Sequence, residues 1–244
     1  MAYLTLENIT KGYNGIPTIR NIDLSIERGE FASLIGPSGV GKTTLFNILS
    51  GLEMPDEGKI VLDGADITGK TGMFSYMQQK DLLLPFYTML DNICLPLRLR
   101  GIDKKEAHAK AKEYLDEFGL LGAENKYPSQ LSGGMRQRGA LLRAYLYSEK
   151  LMLLDEPFSA LDSITKSNLH QWYREVSAKH DTTTFFITHD IDEALVLSDK
   201  IYVMTGPPGE IGEPFIIKDR GEDFVFSKEF MEYKKILIEK VGRK

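Results

Sequence analysis

Apolar residues alternate with polar ones at Leu4, Leu6 and Ile9, break at the turn-rich Gly12-Tyr13-Asn14-Gly15, and resume at Ile22, Leu24 and Ile26. A period of two marks strands with one buried face. Phe31–Ile35 is instead a continuous apolar run closed by Gly36, the pattern of a strand covered on both sides in a parallel sheet. Residues 43–50 switch to helical spacing with Gly51 as a stop, and residues 57–67 read as a hairpin turning at Asp63-Gly64. The middle of the chain changes character. Ala107, Ala111, Tyr114, Leu115 and Phe118 recur at helical spacing, which predicts a helix from Asp103 to Phe118, opened by a capping box of Asp103 with Glu106 and ended by Gly119. A second helix is predicted from Gly134 to about Tyr147.

Residues 151–154 and 183–187 are again continuous apolar strands, separated by a helix that starts near Asp162 and carries Leu169, Trp172 and Val176 on one face. Trp172 and Cys94 read as core residues. Residues 201–204 and 215–217 flank Gly206-Pro207-Pro208-Gly209 as a last hairpin, and an amphipathic helix is predicted from Ser227 through Phe230, Ile236, Leu237 and Val241. The whole is α/β: a mostly parallel core sheet, an N-terminal antiparallel β subdomain and an inserted helical subdomain. As one domain over 1–244, the core takes 1–79 and 148–220, the helical lobe 80–147 and a helical tail 221–244.

Composition narrows the classes. The 244 residues are 42% hydrophobic, enough for a sizeable core and too many for a disordered chain. A net charge of −5 with no basic stripe argues against nucleic acid as a partner. The single cysteine excludes an internal disulfide framework and points to a reducing compartment. A carboxylate at Glu7 interrupts any leader-like run, and no apolar stretch has the ~18 residues that span a bilayer. The expectation is a soluble, cytoplasmic chain whose membrane role, if it has one, runs through a partner.

The candidate chemistry begins at Gly36-Pro37-Ser38-Gly39-Val40-Gly41-Lys42-Thr43, which fits G-x-x-x-x-G-K-[ST] after a strand and at the start of a helix. Glycines let backbone N–H groups wrap phosphate oxygens, and the helix start adds partial positive charge. Lys42 is expected to reach the terminal phosphates and the Thr43 hydroxyl to take Mg²⁺, with Thr44 beside them. A second element, Asp155-Glu156, puts two acids at the C-terminal edge of a buried strand, where ligands of open parallel sheets bind. Asp155 suits Mg²⁺ and Glu156 suits activation of a water.

The third element, Leu131-Ser132-Gly133-Gly134-Met135-Arg136-Gln137-Arg138, precedes a helix upstream of Asp155. With it the chain resembles the ATP-binding subunit of an ABC transporter, whose signature is LSGGQ; Met135 stands at the Gln position. The resemblance covers nearly the whole chain. It implies that Tyr13 stacks on adenine, that Gln79 is the Q-loop glutamine serving Mg²⁺ and its waters, and that Ser159-Ala160-Leu161-Asp162 is the D-loop. His189 would sense the γ-phosphate. Gln78 stands beside Gln79, and only the spacing to Leu84-Pro85 selects the latter. Ser132, Gly133 and Gly134, with Asp162, would complete the site of a second ATPase subunit, so that a homodimer sandwiches two ATP molecules. The apolar stretch Leu82-Leu83-Leu84-Pro85-Phe86-Tyr87 either packs the helical lobe or receives a helix of a membrane permease.

Leu83-Leu84-Pro85-Phe86 with Asp91-Asn92-Ile93, Leu97-Arg98-Leu99-Arg100-Gly101, the string from Leu131 to Arg138, and Gly206-Pro207-Pro208-Gly209-Glu210-Ile211 are similar to the nitrate/sulfonate/taurine importer subfamily, which includes carriers of thiamine precursors. That implies a peripheral protein on the cytoplasmic face of the cell membrane, with a solute-binding protein as an indirect partner. A soluble ABC-type switch ATPase and an exporter subunit stay open as alternatives.

Overall fold

The computed structural model describes residues 2–148, 151–159, 161–217, 220–221 and 223–242. In chain order these form β1 (Leu4–Tyr13), β2 (Ile16–Ile26), β3 (Phe31–Ile35), α1 (Lys42–Leu49), β4 (Glu57–Leu62), β5 (Ala65–Asp66) and β6 (Ser75–Met77). Then come α2 (Met89–Ile93), α3 (Leu95–Leu99), α4 (Lys104–Lys112) and α5 (Gly133–Tyr147). The chain continues as β7 (Leu151–Asp155), α6 (Ser163–Lys179), β8 (Thr183–Ile187), α7 (Ile191–Leu197), β9 (Lys200–Thr205), β10 (Glu210–Ile211), β11 (Phe215–Ile216) and α8 (Lys228–Gly242).

Two sheets organise the fold. The antiparallel one has the order β2-β1-β4-β5. The other runs β10-β9-β3-β8-β7-β6, with β3 parallel to β8 and β9, β7 parallel to β8 and β6, and short antiparallel strands β10 and β11 on β9. All five residues of β3 and of β8 are buried, the hydroxyl residues Ser33, Thr183 and Thr184 among them, as expected of strands covered on both faces. Leu45, Phe46, Ile48 and Leu49 of α1 pack between the sheets with Phe185, Leu151 and the inner faces of β1 and β2. A second core joins α2–α5 to α6 and to the opposite face of the large sheet through Phe118, Leu141, Tyr145, Met152, Phe158 and Tyr173. Cys94 lies in that core, and Trp172 packs against it with its indole N–H on the Glu117 carbonyl, 2.7 Å.

Four expectations need correction. The N-terminal strands are longer than the alternation suggests, because Asn8 and Asn21 adopt left-handed backbone (φ 54° and 48°) where the β1–β2 register shifts. Such bulges break the period of two without ending the pairing. The helix expected to reach Phe118 stops at Lys112; residues 113–119 continue as turns that still bury Leu115 and Phe118, so their spacing persisted without the helix. The final hairpin closes on Glu210–Ile211 first, and Phe215–Ile216 returns to the same strand after a short break. Along α8 the buried stripe is Phe230 and Leu237, while Ile236 is largely exposed. The pattern held for α5, the Asp162 cap of α6, and Gly51, whose φ of +74° terminates α1. Asp103 caps α4 as expected, but by accepting from the Lys105 N–H at 2.8 Å and not in a box with Glu106. Among the described residues no helix is long and apolar enough to cross a membrane.

Candidate nucleotide site

Strand order explains how distant motifs meet. Neighbouring strands β3, β8, β7 and β6 each release a loop at their C-terminal ends, and those loops carry Lys42, His189, Asp155 with Glu156, and Gln79 in turn. This is the binding edge of an open parallel sheet.

The first loop is held tightly. A Cβ on Gly36 would lie 2.4 Å from the Met204 carbonyl oxygen, and Gly41 has a φ of +114° with Ile19 in the way of any side chain. Gly36, Val40 and Gly41 are buried, whereas Pro37, Ser38, Gly39 and Thr43 are exposed and Thr44 half-buried. Gly41 begins α1, and no side chain caps that helix. The Lys42 ammonium donates to the carbonyls of Gly36 (2.8 Å) and Pro37 (2.9 Å), curling back over its own loop. Burial pulls its pKa below the usual lysine value, opposed by the nearby negative charges of Glu156 and Asp155. Tyr13, at the end of β1, is exposed; its hydroxyl donates to Glu53, and Lys11 lies 5.8 Å from its ring centre.

The acids sit across from this loop. Asp155 ends β7, and burial followed by the charge of Glu156 raises its pKa, against a 3.4 Å hydrogen bond from the Tyr76 hydroxyl and the pull of Lys42. Glu156 has a left-handed backbone (φ 45°), and its N–H donates to the Ile187 carbonyl at 2.9 Å, which ties the turn to β8. Its carboxylate receives the Gln79 amide (2.9 Å) on one oxygen and faces His189 Nδ1 (3.2 Å) on the other. Ser159 adds a 3.0 Å bond from its hydroxyl to the Glu156 carbonyl. Gln79 lines one open cleft with Glu156, Ser159, His189 and Gly133, while Gln78 lines a different groove with Tyr76, Leu82, Leu95 and Leu99.

Ser132, Gly133, Gly134 and Asp162 gather at the paired starts of α5 and α6. Ser132 caps α5, its hydroxyl accepting from the Met135 N–H at 3.2 Å, and Asp162 caps α6 by accepting from Thr165 at 3.0 Å. Gly134 permits the approach, since a Cβ there would stand 3.0 Å from Thr165 Cγ2. Among the described residues no hydrogen bond or ion pair joins this group to residues 36–44. Ala160 of the D-loop string lies outside the described residues.

Several contributors escaped the sequence reading. Tyr76 on Asp155 has no motif to announce it. Arg143 donates to the backbone carbonyls of Asp81 (2.5 Å) and Leu82 (2.9 Å), and Arg136 to the Asp81 carboxylate (3.1 Å), so α5 grips the segment after Gln79. The helical spacing of Arg136 and Arg143 was the one visible signal.

The family model described as ABC transporter matches residues 19–159. The chain is 46% identical over 206 residues to the formylaminopyrimidine import ATP-binding protein ThiZ of Halalkalibacterium halodurans, covering 84% of this chain and 80% of that one. It is 41% identical over 196 residues to the aliphatic sulfonates import ATP-binding protein SsuB of Bacillus thuringiensis, with 80% and 77% covered. The dimeric structure of a post-hydrolysis state of the ATP-binding cassette MJ0796 bound to ADP and Pi superimposes with a TM-score of 0.75 at 31% identity, covering 89% of this chain and all of that one. With the phosphate-loop lysine, the paired acids and the signature helix set on this fold, the chain belongs to the ABC transporter family as an ATP-hydrolysing, ATP-binding cassette.

Proposed function

We propose that this chain energises import of a small solute, of the sulfonate, nitrate or thiamine-precursor kind, through a separate membrane permease. The likeness to import ATP-binding proteins supports the import side of this reading. The observation that carries its ATPase side is the convergence of Gln79, Glu156 and His189 at one end of three adjacent parallel strands, next to Lys42. In this reading Lys42 and the backbone of residues 36–44 hold the phosphates, Tyr13 stacks on adenine, and Glu156 takes the proton of the attacking water. His189 and Gln79 bracket the Glu156 carboxylate, which keeps it aimed at the site.

The donor set suits Mg²⁺: oxygen ligands from Thr43, Asp155 and Gln79, of which Asp155 is a desolvated carboxylate that a dication would match. Bound there, the ion would draw charge from the phosphate oxygens. Ser132, Gly133, Gly134 and Asp162 point to a composite site shared with a second copy, in line with the dimeric relative, and closure would follow the terminal phosphate, which would bridge the two halves as ADP alone would not. The groove beside Gln78, with Leu82, Leu95 and Leu99, together with the 88% exposed Phe86, would receive the permease. Leu83, by contrast, packs into the helical core, so the apolar segment serves both uses.

Glu156→Gln tests the assignment. Hydrolysis is expected to fall at least 100-fold with ATP affinity retained and a dimer accumulating in ATP on size exclusion. Hydrolysis at the normal rate would remove Glu156 as the base. Detergent extracts in which a permease and a solute-binding protein co-purify with the chain would support the import role.

A further inference from the structure

His189 is exposed and meets the Glu156 carboxylate, but the segment carrying it is held from behind. Thr188, 1% exposed, donates its hydroxyl to Glu193 Oε2. Glu193, 3% exposed, presents its other oxygen to His170 Nε2 at 2.9 Å. His170 is itself buried, and its ring meets Phe158 edge-on at 4.8 Å between centres, two residues beyond Glu156. On the other side of His189, the Asp190 N–H donates to the Thr188 hydroxyl (3.0 Å), and Asp190 Oδ2 accepts from Lys166 (3.0 Å). The Lys166 ammonium stands 3.9 Å from Glu193 Oε1.

Lys166 and His170 are four residues apart and so share one face of α6. Through Glu193 they hold Thr188, and Lys166 holds Asp190 directly, so both neighbours of His189 are clamped. Through Phe158 the same helix backs the turn that bears Glu156. A buried carboxylate whose oxygens are both engaged is a stiff joint, because loosening either bond strands a charge away from water.

We propose that His170, with Lys166 and Glu193, is a positioning unit that fixes His189 against Glu156. Neither α6 residue lines the cleft of Glu156 and His189. The inference rests on the site reading above, in which His189 and Glu156 serve hydrolysis. A misplacement on the order of 1 Å at such a pair lowers turnover without weakening substrate binding.

The test measures kcat, KM for ATP and binding of a fluorescent ATP analogue in the purified chain and four single variants, His170→Ala, His170→Gln, Lys166→Met and His189→Ala, with the His170→Ala/His189→Ala double variant. His170→Ala is expected to lower kcat about 10-fold with KM and analogue binding within about two-fold. His170→Gln should restore most of the rate, since its amide still donates to Glu193. Lys166→Met, at a partly exposed position, should give a smaller loss of kcat and carries the test if His170→Ala does not fold. In the His189→Ala background, His170→Ala should add almost nothing. Wild-type kcat in His170→Ala and Lys166→Met, beside a His189→Ala whose kcat is lowered but still measurable, would overturn the positioning unit alone, as would equal losses in both backgrounds. Wild-type kcat in His189→Ala would overturn the site reading and the positioning unit together.

Discussion

The two helix starts that the site reading calls on are built in opposite ways. α1 opens at Gly41 with no capping side chain and with a left-handed backbone that only glycine adopts freely, so its leading N–H groups have no partner from a cap. α5 opens at Ser132, whose hydroxyl already accepts a backbone N–H. An uncapped start beside a buried ammonium is a strong anion site that is expensive to fold. A serine-capped start, exposed and followed by two glycines, is self-sufficient, and in the proposed reading it adds its donors to a nucleotide already held at the α1 start. The difference is that α1 leaves its first donors without a side-chain cap while α5 supplies its own.

Lys42→Ala breaks the first half of that contrast. It removes the cation nearest the α1 start, and kcat/KM for ATP is expected to drop at least 100-fold with nucleotide binding weakened in parallel. Titration of a fluorescent ATP analogue against the purified variant checks it. Binding equal to wild type would mean that α1 alone holds the phosphates. Ser132→Ala probes the other half. Losing the cap should cost about 1 kcal/mol, a fall in Tm of roughly 2–4 °C for a chain of this size, while the analogue still binds each isolated chain within two-fold. Equal loss of binding to isolated chains would place Ser132 at the α1 site and end the distinction.

Legibility followed the same divide. β3, β8 and the phosphate loop could be read because short runs rich in apolar and β-branched residues, and glycine spacing, report on local backbone alone. The turns at 113–119 could not, because Leu115 and Phe118 keep helical spacing while tertiary packing, not a helical backbone, buries them. Gln79 and Gln78 are adjacent in sequence and end in different clefts, a choice made by the sheet edge and not by composition. The clamp of Lys166, His170, Glu193 and Thr188 is invisible in the sequence for another reason. Its members come from α6, β8's exit and α7, and only burial turns four ordinary polar residues into a network. Tyr76 behind Asp155 is the same case with a single hydroxyl.

The surroundings of the α1 start also leave a mark on stability, the smallest effect expected. Asp155 loses solvent at the end of β7 and faces the charge of Glu156, so its folded pKa stands above the unfolded value of about 3.9. The folded state therefore holds that proton more tightly than the unfolded chain does. Stability linked to it is fully present below about pH 4 and is lost as the pH rises through the folded pKa, because ionising a desolvated acid costs more than ionising it in water. Asp155→Asn removes that cost. Without nucleotide, the variant's Tm should match wild type near pH 4 and exceed it at pH 7, the gap opening between those values; calorimetry at several pH values measures it. Ser132→Ala should show the same Tm deficit at both pH values, since no titrating group enters its cap. A gap for Asp155→Asn that is flat or reversed would mean that Lys42 and Tyr76 already offset the desolvation of the acid.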